Sequence, residues 1–198
     1  MTLLRATPEG VSGGIIVETE GYLSAIDPAA HGYQRRTPRT SIMYGPPGYA
    51  YIYFSYGMHC CLNISTEPEG VGAAVLIRAI QPTVGIDLMR QRRGDHLPLR
   101  DLARGPGRVC SALGLTLAEN GISLTGETLW LDDEPTLAPD AVIATSPRIG
   151  ISVGTDLPWR WYLVDSPYVS GSRALNHHMS PARRRSTRDA RVYPSAAN

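Results

Sequence analysis

The sequence predicts a single α/β domain of the α+β type, and three observations predict it. Strand-like alternation runs through residues 12–23 and 48–65, a buried-strand run at 71–80 leads directly into helical spacing over 83–92, and no segment repeats. At 198 residues and 42% hydrophobic content, the chain suffices for one well-packed core and is short for two.

In the first strand, 12–23, alternation puts Ile16, Glu18, Glu20 and Tyr22 on one face and Val17 and Thr19 on the other. Two glutamates beside aliphatics on one face are unusual. Residues 27–48, rich in Pro, Gly, Arg and Thr, read as a loop holding His31 and the Thr37-Pro38-Arg39 turn, a setting in which function concentrates. Residues 48–65 then read as a hairpin. Tyr49, Tyr51 and Tyr53 share one face and Ala50, Ile52 and Phe54 the other, and after Tyr56-Gly57 the alternation resumes through Cys60, Cys61, Leu62, Asn63 and Ile64. The tip presents Tyr56, Met58 and His59, a wedge suited to prising apart stacked bases. Taken alone, a tyrosine-rich hairpin serves equally well as core packing.

The strand at 71–80 carries Arg78 near its end, and the helix at 83–92, with Ile86, Leu88 and Met89 on helical spacing, should lie on the sheet. In 102–115, Gly105-Pro106-Gly107 precedes Arg108, Val109 and Leu113, the pattern of a loop and short helix whose first amides can meet phosphate. Further strands are expected at 127–131 and 159–164, separated in part by an acidic loop at 132–139. The domain is taken as residues 1–176. Residues 177–198, with Arg183-Arg184-Arg185 and few apolar residues, read as a disordered tail able to add non-specific nucleic-acid affinity.

All 19 basic residues are arginine. Without lysine, a Schiff base on a side chain, a pyridoxal phosphate anchor and the phosphate-binding lysines of nucleotide enzymes are excluded. The net charge of +1 hides a segregation: ten arginines crowd residues 35–108, whereas 109–172 is acidic. A basic middle suits a phosphate-facing surface. Three cysteines, Cys60, Cys61 and Cys110, fit neither a disulfide framework nor zinc spacing and read as reduced core residues, and His177-His178 is a weak metal signal. No run of about 18 apolar residues occurs, and residues 1–14 lack the basic start and apolar centre of a signal peptide, so a cytoplasmic protein with no membrane partner is expected.

IVETEGYL with the DPAAH that follows, then TPR, YIYFSYGMHCCLNIS, AVLIRA and RGPGRVC, resemble the alkyladenine (3-methyladenine) DNA glycosylase family of base-excision repair. The resemblance runs in order from about residue 15 to about residue 171. It implies a curved, mainly antiparallel sheet with a protruding, DNA-inserting hairpin, and a monomer that flips a damaged purine out of double-stranded DNA and hydrolyses its bond to the sugar. The helix with which such proteins usually begin has no counterpart ahead of the first strand here. By the same resemblance Glu20 activates the attacking water, Glu18 is its structural partner, and Arg78 stands beside the water and a backbone phosphate. The flipped base lies between Tyr22 and His31 on one side and Tyr53 on the other, and Asn63 crowds the amino group of guanine. Tyr56 fills the gap in the stack, flanked by Met58 and His59. An alkylated purine is cationic, and an aromatic slot attracts cations by about 0.5–2 kcal/mol. No cofactor and no metal are implied. With no lysine to form a Schiff base, the product is an intact abasic site.

Two other readings accompany this one. Glu18 and Glu20, with β-carbons roughly 7 Å apart by the strand rise, resemble the carboxylate pair of an O-glycoside hydrolase, but Trp130, Trp159 and Trp161 lie far from them in sequence. A non-catalytic damage-binding protein would use the hairpin and arginines but has no need of Glu20.

Overall fold

Strand β2 (Gly10–Leu23) is the spine of the fold, because three other strands share its two edges. The structure, a computed structural model, describes residues 1–55, 57–134, 137–172 and 176. Along one edge β2 pairs first with β1 (Thr2–Thr7) and then, over Glu18 to Glu20, with β8 (Arg160–Leu163). Its other edge pairs with β5 (Ala73–Val84). With β3 (Ala50–Ser55), β4 (His59–Ser65) and β6 (Leu129–Asp132), the sheet runs β3-β4-β5-β2-β1-β6, and β7 (Ile143–Ser146) lies outside β8. Every pairing is antiparallel, and the sheet curls into a half-barrel.

The β2–β5 register shifts at three places, skipping Val17 on β2 and Thr83 and Arg78 on β5. Such irregularities bend a strand and re-aim side chains. Ile16 and Val17 still pack on opposite sides as the alternation predicts, Ile16 on the main core and Val17 in a small core with Ala79, Ala144, Tyr162 and Val169. Arg78, set out of step, points at the two glutamates of β2.

Helix α1 (Ile86–Arg93) starts three residues later than its spacing predicts. Thr83 and Val84 remain in β5, and Gly85 at φ +59° ends the strand and opens the helix. Helix α2 (Pro106–Leu113) falls within the predicted loop and short helix at 102–115, with Pro106 in its first turn, a position that needs no N–H. Met89, Val109, Cys110 and Leu113 pack with Leu3, Ile52, Leu62, Ile77 and Ile80 in the main core, and each larger apolar side chain contributes about 1.5–3 kcal/mol by leaving water. Strands β1 and β7 were not expected: β1 hides its nature by burying Arg5, paired with Glu119 at 2.8 Å, and β7 is four residues with only Ala144 and Ser146 buried.

The β3–β4 hairpin closes with Ser55 opposite His59. Phe54 and Met58 are 51% and 68% exposed, and Tyr56 lies outside the described residues, as do 177–198 with the arginine tail and His177-His178. The hairpin lies against the start of α2, where a Cβ on Gly107 would fall 2.9 Å from that of His59. Among the described residues no helix is long and apolar enough to cross a membrane.

Candidate active site

Glu20, on the stretch of β2 flanked by β5 and β8, is completely buried and its carboxylate meets only donors. The Tyr22 hydroxyl donates to Oε2 at 2.8 Å, Arg78 Nη1 donates to the same oxygen at 3.1 Å, and the Ile149 amide donates to Oε1 at 2.7 Å. Tyr22, Arg78 and Ile149 all line one cavity of about 530 Å³, so Glu20 sits directly behind its floor.

Glu18 is buried too, with a different set of partners. Arg160 Nε donates to Oε1 at 2.6 Å, the Ser170 amide to Oε2 at 2.7 Å, and Arg78 Nε lies 3.3 Å from Oε1. Arg78 thus bridges the two carboxylates, while Arg160 is tied further to Ser146 and Asn176. A buried ion network of this kind tolerates loss of one member poorly, since an uncompensated charge remains. Neither glutamate opens onto the cavity itself: Glu20 meets it through Tyr22, Arg78 and Ile149, whereas Glu18 turns to Arg160 and Ser170, so the two do not face a common cleft as a hydrolase pair would.

The opposite wall comes from β3 and the 27–48 loop. Tyr51 is buried, Tyr53 half-buried, and His31 exposed at the rim with its inner edge against both. His31 Nδ1 lies 3.0 Å from the Tyr51 hydroxyl, and its ring meets Tyr53 edge to face at 4.4 Å. No base fits between those two rings at that separation. Loss of solvent at its inner edge, together with the Arg39 charge, holds His31 below its usual range, and burial pushes the Tyr22 and Tyr53 hydroxyls upward. Asn63, buried on β4, donates to the Tyr51 carbonyl at 3.1 Å and lines the same cavity.

A segment that sequence reasoning missed completes the site. Arg148, fully buried after β7, forms a two-pronged ion pair with Asp27 and donates to the Gly21 carbonyl at 2.9 Å. Its guanidinium lies 4.6 Å from the Tyr22 ring centroid and 5.5 Å from that of Trp159. Arg148 and Arg160 are the only basic residues in the acidic stretch 109–172. That isolation was the available signal, because a lone arginine among acids is a ready counterion for a buried carboxylate. The tryptophans are also nearer than their numbering suggests: the Trp159 carbonyl accepts from the Gly21 amide, and Trp161 pairs with Thr19.

Of the residues singled out in the sequence, Tyr22, His31, Tyr53, Asn63 and Arg78 line the one cavity, with Glu20 behind it. Met58 and His59 stand at the hairpin end, and His59 touches α2 at Gly107. Among the described residues no group of three or more His, Cys, Asp or Glu could hold a metal ion, and the three cysteines are free thiols.

Residues 1–167 match the methylpurine-DNA glycosylase family. Among similar proteins, one from Burkholderia lata is 51% identical over 160 residues, covering 80% of this chain and 77% of its own. One from Rhodopseudomonas palustris is 50% identical over 161 residues, covering 81% and 76%, and one from Chlorobaculum tepidum 49% identical over 160 residues, with the same coverage. All three carry the name "Putative 3-methyladenine DNA glycosylase". With the family model matched over residues 1–167 and half of the aligned positions identical across most of each chain, the chain belongs to the methylpurine-DNA glycosylase family.

Proposed function

We propose that this protein is a monofunctional DNA glycosylase of base-excision repair, acting as a monomer on duplex DNA in the cytoplasm. It draws an alkylated or deaminated purine nucleotide out of the helix, 3-methyladenine among them, and leaves an intact abasic site. The observation that carries this reading is Glu20, a buried carboxylate held by three donors immediately behind a cavity of about 530 Å³ walled by tyrosines and His31.

In the reaction, water attacks C1′ of the deoxyribose, a proton passes to Glu20, and the N-glycosidic bond breaks with its electron pair leaving on the purine. Glu20 Oε1 accepts one hydrogen bond and keeps a lone pair for the water. Since Glu20 has no exposure of its own, that water reaches it through the cavity, between Tyr22 and Arg78. Arg78, shared by Glu18 and Glu20, steadies the carboxylate and offers positive charge toward the sugar and phosphate.

The purine enters between Tyr22 and His31 on one side and Tyr53 on the other, which requires the His31 ring to swing off Tyr53. Asn63 crowds the guanine amino group, which turns normal guanine away. The hairpin tip, with Tyr56, Met58 and His59, fills the space left in the stack.

The test is a labelled duplex carrying one deoxyinosine and a second carrying methylated purines, incubated with the protein and scored with and without alkali. Breakage that needs alkali is the expected outcome. Breakage without alkali would rule out a monofunctional enzyme, and intact DNA with binding preserved would indicate a damage-binding protein.

A further inference from the structure

The ring of Tyr53, on which the flipped base is proposed to stack, already has a cation beside it. The Arg39 guanidinium carbon lies 5.5 Å from the Tyr53 centroid, and both residues line the cavity with His31 and Tyr51. The other guanidiniums of the site are matched by acids: Arg78 by Glu18 and Glu20, Arg160 by Glu18, Arg148 by Asp27. Among the described residues no carboxylate forms an ion pair with Arg39, so it supplies the cavity's unbalanced positive charge. Its field reaches the slot, where it adds to the loss of solvent that holds His31 below its usual range.

We propose that Arg39 is a specificity-determining residue whose charge weighs against cationic alkylpurines and in favour of neutral lesions in the aromatic slot. This rests on the glycosylase reading above. An aromatic slot alone would favour a cationic base, and a guanidinium 5.5 Å from the centroid of one of its rings opposes that attraction. Like charges roughly 7 Å apart in a partly screened site repel enough to change a relative rate by about five-fold. The competing role, a contact to a DNA phosphate, would act on every lesion alike.

The experiment compares the wild-type protein, Arg39→Gln and Arg39→Lys on duplexes carrying one 7-methylguanine, which is cationic, or one hypoxanthine, which is neutral. Both kcat/KM and, on a Glu20→Gln background, duplex affinity are measured. The ratio of 7-methylguanine to hypoxanthine is expected to rise about five-fold in Arg39→Gln and to stay within about two-fold of wild type in Arg39→Lys, which keeps the charge. An unchanged ratio, through equal losses on both lesions, assigns Arg39 to phosphate and overturns the proposal, as does a falling ratio. A wild-type protein that neither releases nor selectively binds either base overturns the glycosylase reading itself, and this inference with it.

Discussion

Arg148 faces Tyr22 across 4.6 Å, and the amide of the next residue, Ile149, donates to Glu20 at 2.7 Å. One short segment therefore positions both the ring and the carboxylate of the site. Its own anchor is the ion pair with Asp27, both side chains completely buried. Replacing Arg148 by Ala leaves the Asp27 carboxylate buried and unpaired, so a loss of about 3–5 kcal/mol in unfolding free energy is expected, read from the denaturant midpoint. Arg148→Lys keeps the charge but cannot reproduce the fork or the stacking, so it should recover only part of that loss.

How much of this arrangement was legible in the sequence depends on the span of each interaction. Glu18, Glu20 and Tyr22 share a face because strand periodicity is local, and the β3–β4 hairpin was readable for the same reason. Gly105-Pro106-Gly107 marked the change from loop to helix near α2 through backbone geometry alone. Arg148 meets Asp27 across 121 residues, and Arg160 meets Glu18 across 142. No local pattern encodes such pairings. The register slips at Val17 and Arg78 were hidden as well, since the pairing partner that reveals them lies some sixty residues away in sequence.

Tyr22→Phe removes the hydroxyl that donates to Glu20 Oε2 while keeping the ring against Arg148. A hydrogen bond to a charged acceptor is worth about 1.5–3 kcal/mol, but Arg78 still serves the same oxygen. We expect roughly a ten-fold drop in single-turnover excision, equivalent to about 1.4 kcal/mol, with duplex affinity nearly unchanged. An equal drop in affinity would instead give the hydroxyl a role in holding DNA.

His31 offers a prediction that needs no substrate. Its folded pKa is lowered by desolvation and by the Arg39 charge, so the unfolded chain binds more protons in the window between the lowered value and the ordinary one near 6.5. Stability should therefore rise with pH through that window and fall as pH drops through it. A proton NMR titration of the His31 ring should show a midpoint below the ordinary value, and Arg39→Gln should move it upward. A midpoint unmoved by that change would mean desolvation alone sets it.

Met58, 68% exposed at the hairpin end, makes a clean separation of DNA engagement from folding. Met58→Ala removes little buried surface, and its stability should stay within about 0.5 kcal/mol of wild type. If the tip occupies the gap in the stack, lesion-containing duplex should nevertheless dissociate faster, measured as koff by fluorescence anisotropy, with a smaller effect on undamaged DNA.

Glu18 and Glu20 lie two residues apart on one strand, both hidden from solvent and both bonded to Arg78, yet their removal should have different consequences. Glu18→Gln breaks the pair with Arg160, whose side chain has no exposure, and weakens the hold on the Ser170 segment, so its main cost is stability, about 3 kcal/mol by chemical denaturation. Glu20→Gln keeps an amide oxygen for the Ile149 donor, and the Tyr22 hydroxyl can turn to accept from the new NH2, so its folding loss should be smaller while base release disappears. Measuring unfolding free energy and single-turnover excision on both variants separates the roles. Release by Glu20→Gln at more than about a hundredth of the wild-type rate would place the base elsewhere, since general-base catalysis contributes at least about that factor.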